Sequence, residues 1–356
     1  MNSLNEPLLM EYDSEIGKYK ELEPLVIYAL QDELKNAGIG TMQIAHRIKT
    51  RDSFAEKLLR KPDKYASIYD MTDILGIRII CYFSDQVDEI AEILRRIFVV
   101  DDKNSVDKRK NLDPTTFGYL SLHYICSLPQ KEDHSQGLSE IRFEIQVRTV
   151  LQHTWAEIEH DLGYKTDFGI PKAIRRNFAR VAGLLEIADE AFLQIRNTMV
   201  NYEKDVRDRI INDNVADMPL DLVSLKAYLE FSPRMNELIK EIAAISGANV
   251  VHISPENYLV KLDYFGITNL GELNAFVSNG YDDALFFAKR TLEKIQLDEV
   301  SSVIGLYYLC RAQLVLGDYD KDRLMEYYLK GEATGKIAEM KTNRILKLRD
   351  SIKSNK

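Results

Sequence analysis

The chain has 356 residues, 45% of them apolar and 29% charged, with a formal net charge of -9. This size predicts two domains, or three, around sizeable cores, and the acidic balance argues against a generally basic nucleic-acid binder while leaving room for a local basic cleft. Cys81, Cys126 and Cys310 stand far apart in apolar or aromatic contexts and read as core thiols, and no apolar run has signal-peptide or membrane-span length, so cytoplasmic residence without a membrane partner is the expectation.

Residues 7–37 read as helical, with Leu8, Leu9, Tyr12, Ile16, Tyr19, Leu22, Leu25 and Val26 on the apolar side and "NAGIG" as the stop. "TMQIAHRIKT" opens as a short strand, and a helix starts at Asp52 and carries Arg60 and Lys61 in its last turn. "YDMTDILGIRIICYF" predicts a short helix closed by Gly76 and then a buried strand from Ile77 to Phe83. "SDQVDEIAEILRRIF" is an amphipathic helix with Ser84 as its expected cap. A short strand at "FVV", a polar loop over 104–116 and an alternating strand in "GYLSLHYICSLP" follow. A hairpin-like turn in "KEDHSQGLS" leads to "FEIQVRT", where Phe143, Ile145 and Val147 face one way and Glu144, Gln146 and Arg148 the other. The helix after it carries His153, Trp155, Glu157, Glu159 and His160. Interleaved strands and helices with a hairpin predict an α/β (α+β) fold, a mixed sheet flanked by helices, and not a doubly wound one.

Beyond Lys165 the texture becomes helical for about forty residues, with Pro171 near the first turn. "NDNVADMPLD" reads as a linker, and the chain from Leu222 on is mostly helical, with no fixed repeat period. The expected organisation is a catalytic domain over 1–168, a long connecting helix over 169–215, and a helical accessory or regulatory domain over 216–356.

Four polar clusters lie before residue 165. In "HRIKTRDSFAEK", Arg47 and Lys49 share a strand face and Lys57 lies on the next helix; such cations suit a polyphosphate, although a solvated basic face has the same composition. In "DILGIRI", Asp73 either caps a turn or holds Mg²⁺ at the sheet edge, with Arg78 near the phosphates. In "FGYLSLHY", Tyr119, Ser121 and His123 share one face, which fits stacking of Tyr119 on a planar base with His123 near a phosphate. The Glu144, Gln146 and Arg148 face is either an exposed strand edge or a place where a glutamate activates a hydroxyl or binds a metal. No glycine-rich phosphate loop occurs, so side chains and metal, in a nucleotidyltransferase-like arrangement, are expected to hold any polyphosphate.

Over residues 40–165 these blocks, in this order, resemble the RelA/SpoT-type alarmone synthetase family. "RIKTRDSFAEK" looks like its ATP-gripping segment, "DILGIRI" like its magnesium-aspartate block, "GYLSLH" like its acceptor strand, "EIQVRT" like the block with its essential glutamate, and "WAEIEHDLGYK" like its next helix, ending in Tyr164 and Lys165. The resemblance implies Mg²⁺-dependent transfer of the β,γ-pyrophosphate of ATP to the 3′-hydroxyl of GDP or GTP, giving (p)ppGpp. It implies Asp73 and Glu144 as metal ligands, with Asp73, Glu144 and Arg78 catalytic. Arg47, Lys49 and Lys57 fall around the donor phosphates, Tyr119 stacks on guanine, His123 lies near the acceptor phosphates, and Gln146 and Arg148 accompany them. Two departures qualify this. The residues before Arg47 are too few for the hydrolase domain of long members, so a synthesis-only protein is expected. The acceptor loop, usually Lys-x-Asn-Gly-Tyr, reads "TTFGY", with Thr115 for the lysine and Phe117 for the asparagine. Lys108, Arg109 and Lys110 restore charge there from another direction. Another acceptor, the tRNA 3′ end foremost, therefore stays open, as does a catalytically weak nucleotide sensor whose helical half binds a protein partner. The helix near 172–211 is the expected element for any homo-oligomer.

Overall fold

The computed structural model describes residues 6–61, 64–109, 121–130, 137–164, 171–331 and 334–353. Tyr119, Lys110, Thr115, Phe117 and Lys165, and the side chain of Tyr164, lie outside the described residues. The chain divides into two compact units, Met1–Arg196 and Asn197–Lys356.

The first unit opens with helix α1, Glu6–Asn36, which buries Tyr12, Tyr19, Leu22, Val26, Leu30 and Leu34. Their spacing of three, four and seven keeps them on one face. Strand β1 is Thr41–Ile48 and helix α2 is Arg51–Arg60, whose amide at Ser53 is capped by the Thr50 hydroxyl. Next come β2 (Leu75–Cys81), α3 (Gln86–Ile97), β3 (Val99–Val100), β4 (Val106–Asp107), β5 (Leu122–Ser127), β6 (Phe143–Thr149), α4 (Val150–Tyr164) and α5 (Lys172–Ile211), the last crossing the boundary between the units. The sheet runs β1-β2-β6-β5-β3, with β4 also on β5. β2 and β6 are parallel and the other pairs antiparallel, so the sheet is mixed, as expected. Leu75, Ile77 and Ile79 of β2 and Phe143, Ile145 and Val147 of β6 are sealed in the core with the buried faces of α1 and α3. The alternate residues of β6 turn the other way.

Three local expectations are corrected. Gly76 does not close a helix; the short helix is a single 3₁₀ turn at Ile68–Asp70, and Gly76 is inside β2. Ser84 does not cap α3: the Gln86 side chain folds back and accepts from the Tyr82 and Phe83 amides, and the cap residue is Asp85, whose carboxylate is held by Arg196. The polar loop expected from 104 contains β4, which pairs with β5.

In the second unit, α6 (Leu222–Phe231), α7 (Pro233–Ser246), α8 (Glu256–Tyr264), α9 (Leu270–Leu292), α10 (Ile304–Leu316), α11 (Lys321–Lys330) and α12 (Gly335–Lys353) surround one apolar core. Two three-residue strands, β7 (Asn249–Val251) and β8 (Glu299–Ser301), pair in parallel, which the helical reading of this half did not contain. Nor is the segment read as a linker loose. Val215 and Met218 are buried, the Leu220 amide donates to Thr268, and a Cβ on Gly271 would come 2.5 Å from the Ala216 carbonyl oxygen. The three cysteines are buried free thiols pushed up to about 12 by burial, as core thiols should be. No described helix is long and apolar enough to cross a membrane.

Candidate active site

Register across the sheet assembles the polar residues. Arg47 of β1 lies opposite Gly76 of β2, and Gly76 opposite Glu144 of β6. In the next row Ala45, Arg78, Gln146 and His123 stand side by side across β1, β2, β6 and β5. Opposed residues share a face, so all of these project on the side away from Phe143, Ile145 and Val147. Gly76 has no side chain and Ala45 only a methyl, and a hollow of about 180 Å³ opens over them. Arg47, Asp73, Arg78, Glu144 and Gln146 line it.

Asp73 sits in the turn before β2. The Lys49 amide donates to the Ile74 carbonyl at 2.7 Å, and the Tyr12 hydroxyl to the Lys49 carbonyl at 2.7 Å, which fixes the end of β1 beside that turn. The Asp73 Oδ2 atom then meets Lys57 Nζ at 2.6 Å and Lys49 Nζ at 3.3 Å. Burial pushes the Asp73 carboxyl up, but the two ammonium groups outweigh it and hold it below the usual carboxylate range. Its Oδ1 is shielded from solvent and has no hydrogen-bond partner.

Glu144 is held at both oxygens. His123 Nδ1 lies 2.8 Å from Oε1, and the Gln146 amide donates to Oε2 at 3.2 Å. Arg148 is buried and donates in turn to the side-chain oxygen Oε1 of Gln146. Burial and the charge of Asp73 push the Glu144 carboxyl up, yet the His123 and Gln146 hydrogen bonds prevail and keep it below its ordinary range. Both acids are therefore carboxylates at neutral pH, and each feels the other's charge. Arg78 turns toward α4, where its Nη1 donates to Glu157 at 2.6 Å. His153 Nδ1 is 3.8 Å from the same carboxylate, and burial holds its imidazole below the ordinary histidine range.

The described structure thus brings Arg47, Lys49, Lys57, Asp73, Arg78, His123, Glu144, Gln146 and Arg148 to one side of the sheet. Arg51, from the first cluster, is turned to Asp13 instead. Trp155 is a packing residue, edge-on to Phe178 with its indole N–H on the Phe178 carbonyl. Arg109 is tied to Asp107 and Asp88, so its charge is already engaged. Sequence reasoning missed Gly76 and Ala45 as the residues that open the hollow; the signal was a glycine leading into the isoleucines Ile77, Ile79 and Ile80. It also missed that Glu157 would pair with Arg78.

The two acids have the donor chemistry of a hard-cation site. Mg²⁺ takes one or two carboxylates and fills the rest of its shell with water and phosphate oxygens, and an orphaned Asp73 oxygen beside ionised Glu144 suits that pattern. Among the described residues no group of three or more potential ligands is placed for a purely protein-bound metal.

Known proteins bear on this arrangement. Residues 46–168 match the family described as the region found in RelA / SpoT proteins. GTP pyrophosphokinase YjbM of Bacillus subtilis (strain 168) is 33% identical over 156 residues, 43% of this chain and 71% of that protein. GTP pyrophosphokinase YwaC of the same organism is 28% identical over 156 residues, 42% of this chain and 71% of that protein. The crystal structure of small alarmone synthetase 1 from Bacillus subtilis bound to its product pppGpp is 27% identical, and the match covers 53% of this chain and 98% of that one with a TM-score of 0.44. With the family match and the similarity to YjbM falling on the segment that builds the carboxylate and cation face, the chain belongs to the RelA/SpoT family of pyrophosphate-transferring enzymes.

Proposed function

We propose that this site moves the β,γ-pyrophosphate of ATP to the ribose 3′-hydroxyl of GDP or GTP, with Asp73 and Glu144 as the Mg²⁺ ligands. The observation that carries the reading is the row Arg47–Gly76–Glu144 across three strands, with Asp73 and its two lysines at the rim. The open floor at Gly76 admits a phosphate chain between a guanidinium and a carboxylate. Arg47, Lys49 and Lys57 neutralise the donor triphosphate, and Lys49 and Lys57 turn from Asp73 to phosphate oxygens as the donor enters. Mg²⁺, when bound, supplies charge neutralisation and polarisation of the phosphoryl oxygens.

In the reaction the acceptor 3′-oxygen bonds to the β-phosphorus, the bond from that phosphorus to the α,β-bridging oxygen breaks, and AMP leaves. Arg78 offers its charge to the donor phosphates and then to the anion that develops. The hydroxyl proton passes to the Glu144 carboxylate, which the His123–Oε1 hydrogen bond holds in orientation. Gln146, positioned by Arg148, keeps Glu144 from rotating out of line. Tyr119 serves as the stacking platform for the acceptor base. The catalytic work falls to residues 1–168, and 216–356 act as an accessory domain linked by the long helix. Exposed Leu184, Ile187 and Ile195 on α5 support self-association of a cytoplasmic enzyme.

A second acceptor, the 3′ end of tRNA, is favoured by one observation. Thr115 and Phe117 remove a cation and an amide from the acceptor loop, and Arg109 is held by Asp107 and Asp88. Incubation with γ-labelled ATP, Mg²⁺ and, separately, GDP, GTP, other nucleotides and bulk tRNA tests both. Label on GDP or GTP that disappears with EDTA is expected. Label on tRNA alone transfers the assignment to RNA, and no label anywhere reduces the chain to a nucleotide sensor.

A further inference from the structure

The second unit carries more acidic than basic residues, yet two of its hollows are lined by cations and by no carboxylate among the described residues. The first, about 150 Å³, has aromatic and apolar walls that include Tyr258, Tyr307, Tyr327 and Tyr328. The second, about 350 Å³, is bordered by Arg290 and Lys347. Arg311 of α10 and Arg344 of α12 line both. Lys261 and Lys341 also line the first hollow, over the rings of Tyr258 and Tyr328, so both hollows are cationic and the first adds aromatic surface.

Arg311 strengthens the case. Its Nη1 donates to the Tyr307 hydroxyl at 2.9 Å, but its Nε is shielded from solvent with no hydrogen-bond partner. A buried unsatisfied guanidinium N–H is costly unless a ligand completes it. Contrast Arg349, three of whose nitrogens donate to the Leu314, Val315 and Tyr319 carbonyls at the end of α10. That arginine has a structural explanation in full. Cations gathered without a carboxylate on the same walls repel one another, and a polyanion relieves that.

We infer that this double hollow binds a nucleoside polyphosphate, the base among the tyrosines and the phosphates on Arg311, Arg344, Arg290 and Lys347. Phosphate oxygens match the planar forks of arginine, and tyrosine faces accept a base without demanding its identity. Binding there is independent of the reaction assigned to the first unit.

Hydrogen exchange read by mass spectrometry on the full chain, with GTP as probe and no ATP present, tests it. GTP should protect residues 304–316 and 335–353. Arg344→Gln, at an exposed position, and Arg311→Gln should each raise the GTP concentration for that protection roughly tenfold or more, as loss of a charged hydrogen bond does. Any protection of 41–48 and 75–81 should be unchanged in both variants. Tripolyphosphate should protect the two helices only at much higher concentration. Absence of protection at millimolar GTP in the folded protein overturns the site, as does protection that survives both substitutions. Tripolyphosphate as effective as GTP, or a short single-stranded RNA that protects where GTP does not, overturns the nucleoside assignment.

Discussion

Gly76 offers a sharp separation of activity from stability. An added Cβ there meets nothing within 4 Å, and its backbone is outside the left-handed region. Substitution therefore strains neither the strand nor its neighbours. Gly→Ala at such a position stabilises by about 0.4–1 kcal/mol through the unfolded chain, which for a unit of this size raises Tm by roughly 2–4 °C per kcal/mol. The same Cβ projects into a hollow of about 180 Å³ between Arg47 and Glu144. A methyl group displaces about one water's share of space, ~30 Å³, a sixth of the hollow. The three carbons of valine take about half of it by the same reckoning. Displacing reacting groups by an ångström costs about 100-fold in rate. Gly76→Ala should lower kcat/KM about tenfold and Gly76→Val more than 100-fold, ~2.7 kcal/mol of transition-state stabilisation, with Tm unchanged or higher in both. Label transfer from γ-labelled ATP and a thermal melt on the same preparations measure the two effects. Gly76→Val with activity within threefold of wild type would refute the placement of the phosphates over this glycine.

Glu144→Gln should reduce transfer by 100-fold or more while costing only about 1 kcal/mol of stability. The new carboxamide oxygen still faces His123, and only the bond from Gln146 loses its acceptor; unchanged turnover would remove Glu144 from the chemistry. Glu157→Gln should release Arg78 from an exposed ion pair worth at most ~1 kcal/mol and so lower the KM for ATP by up to about fivefold. A raised KM would mean that Glu157 orients the guanidinium and does not compete with the phosphates for it. Asp189 is buried with one oxygen on the Thr149 hydroxyl, and burial holds its carboxyl above the usual range. A raised folded-state value favours folding below the ordinary carboxylate range and withdraws that contribution as pH rises toward the folded value. Asp189→Asn should accordingly raise Tm at pH 7 and make no difference near pH 3; a gain of equal size at both would rule out titration as its cause.

Strand alternation was legible because it is local: Phe143, Ile145 and Val147 have to be on one face and Glu144, Gln146 and Arg148 on the other whatever the strand pairs with. The same holds for most of the apolar side of α1, where Leu25 is nonetheless exposed and the unread Leu30 and Leu34 are buried, and for the helical character of the second unit. Gly76 was misread because a glycine after a turn also suits a helix end, and its place inside β2 depends on hydrogen bonds to β1 and β6. Ser84 lost the cap position to Asp85 because Gln86 folds back onto the Tyr82 and Phe83 amides and fixes the chain one residue further on, which residue preference does not rank. The segment "NDNVADMPLD" has linker composition, but Met218 is 1% exposed in the apolar core of the second unit, and its carbonyl accepts from the Leu270 amide at the start of α9.

The order of residues by itself determined which side chains share a strand face, which stretches are helical, and which family the central segment resembles, since these depend on spacing along the chain. It left undecided who stands opposite whom. β2 lies beside β6, not β3, and that crossover alone aligns Arg47, Gly76 and Glu144 across three strands. The pairing of Lys57 with Asp73, of Arg78 with Glu157 and of His123 with Glu144 likewise follows from packing between elements distant in sequence. Tertiary structure decided these because a side chain's charge and hydrogen bonding are set by the atoms within a few ångströms of it, and only the folded chain brings those atoms together.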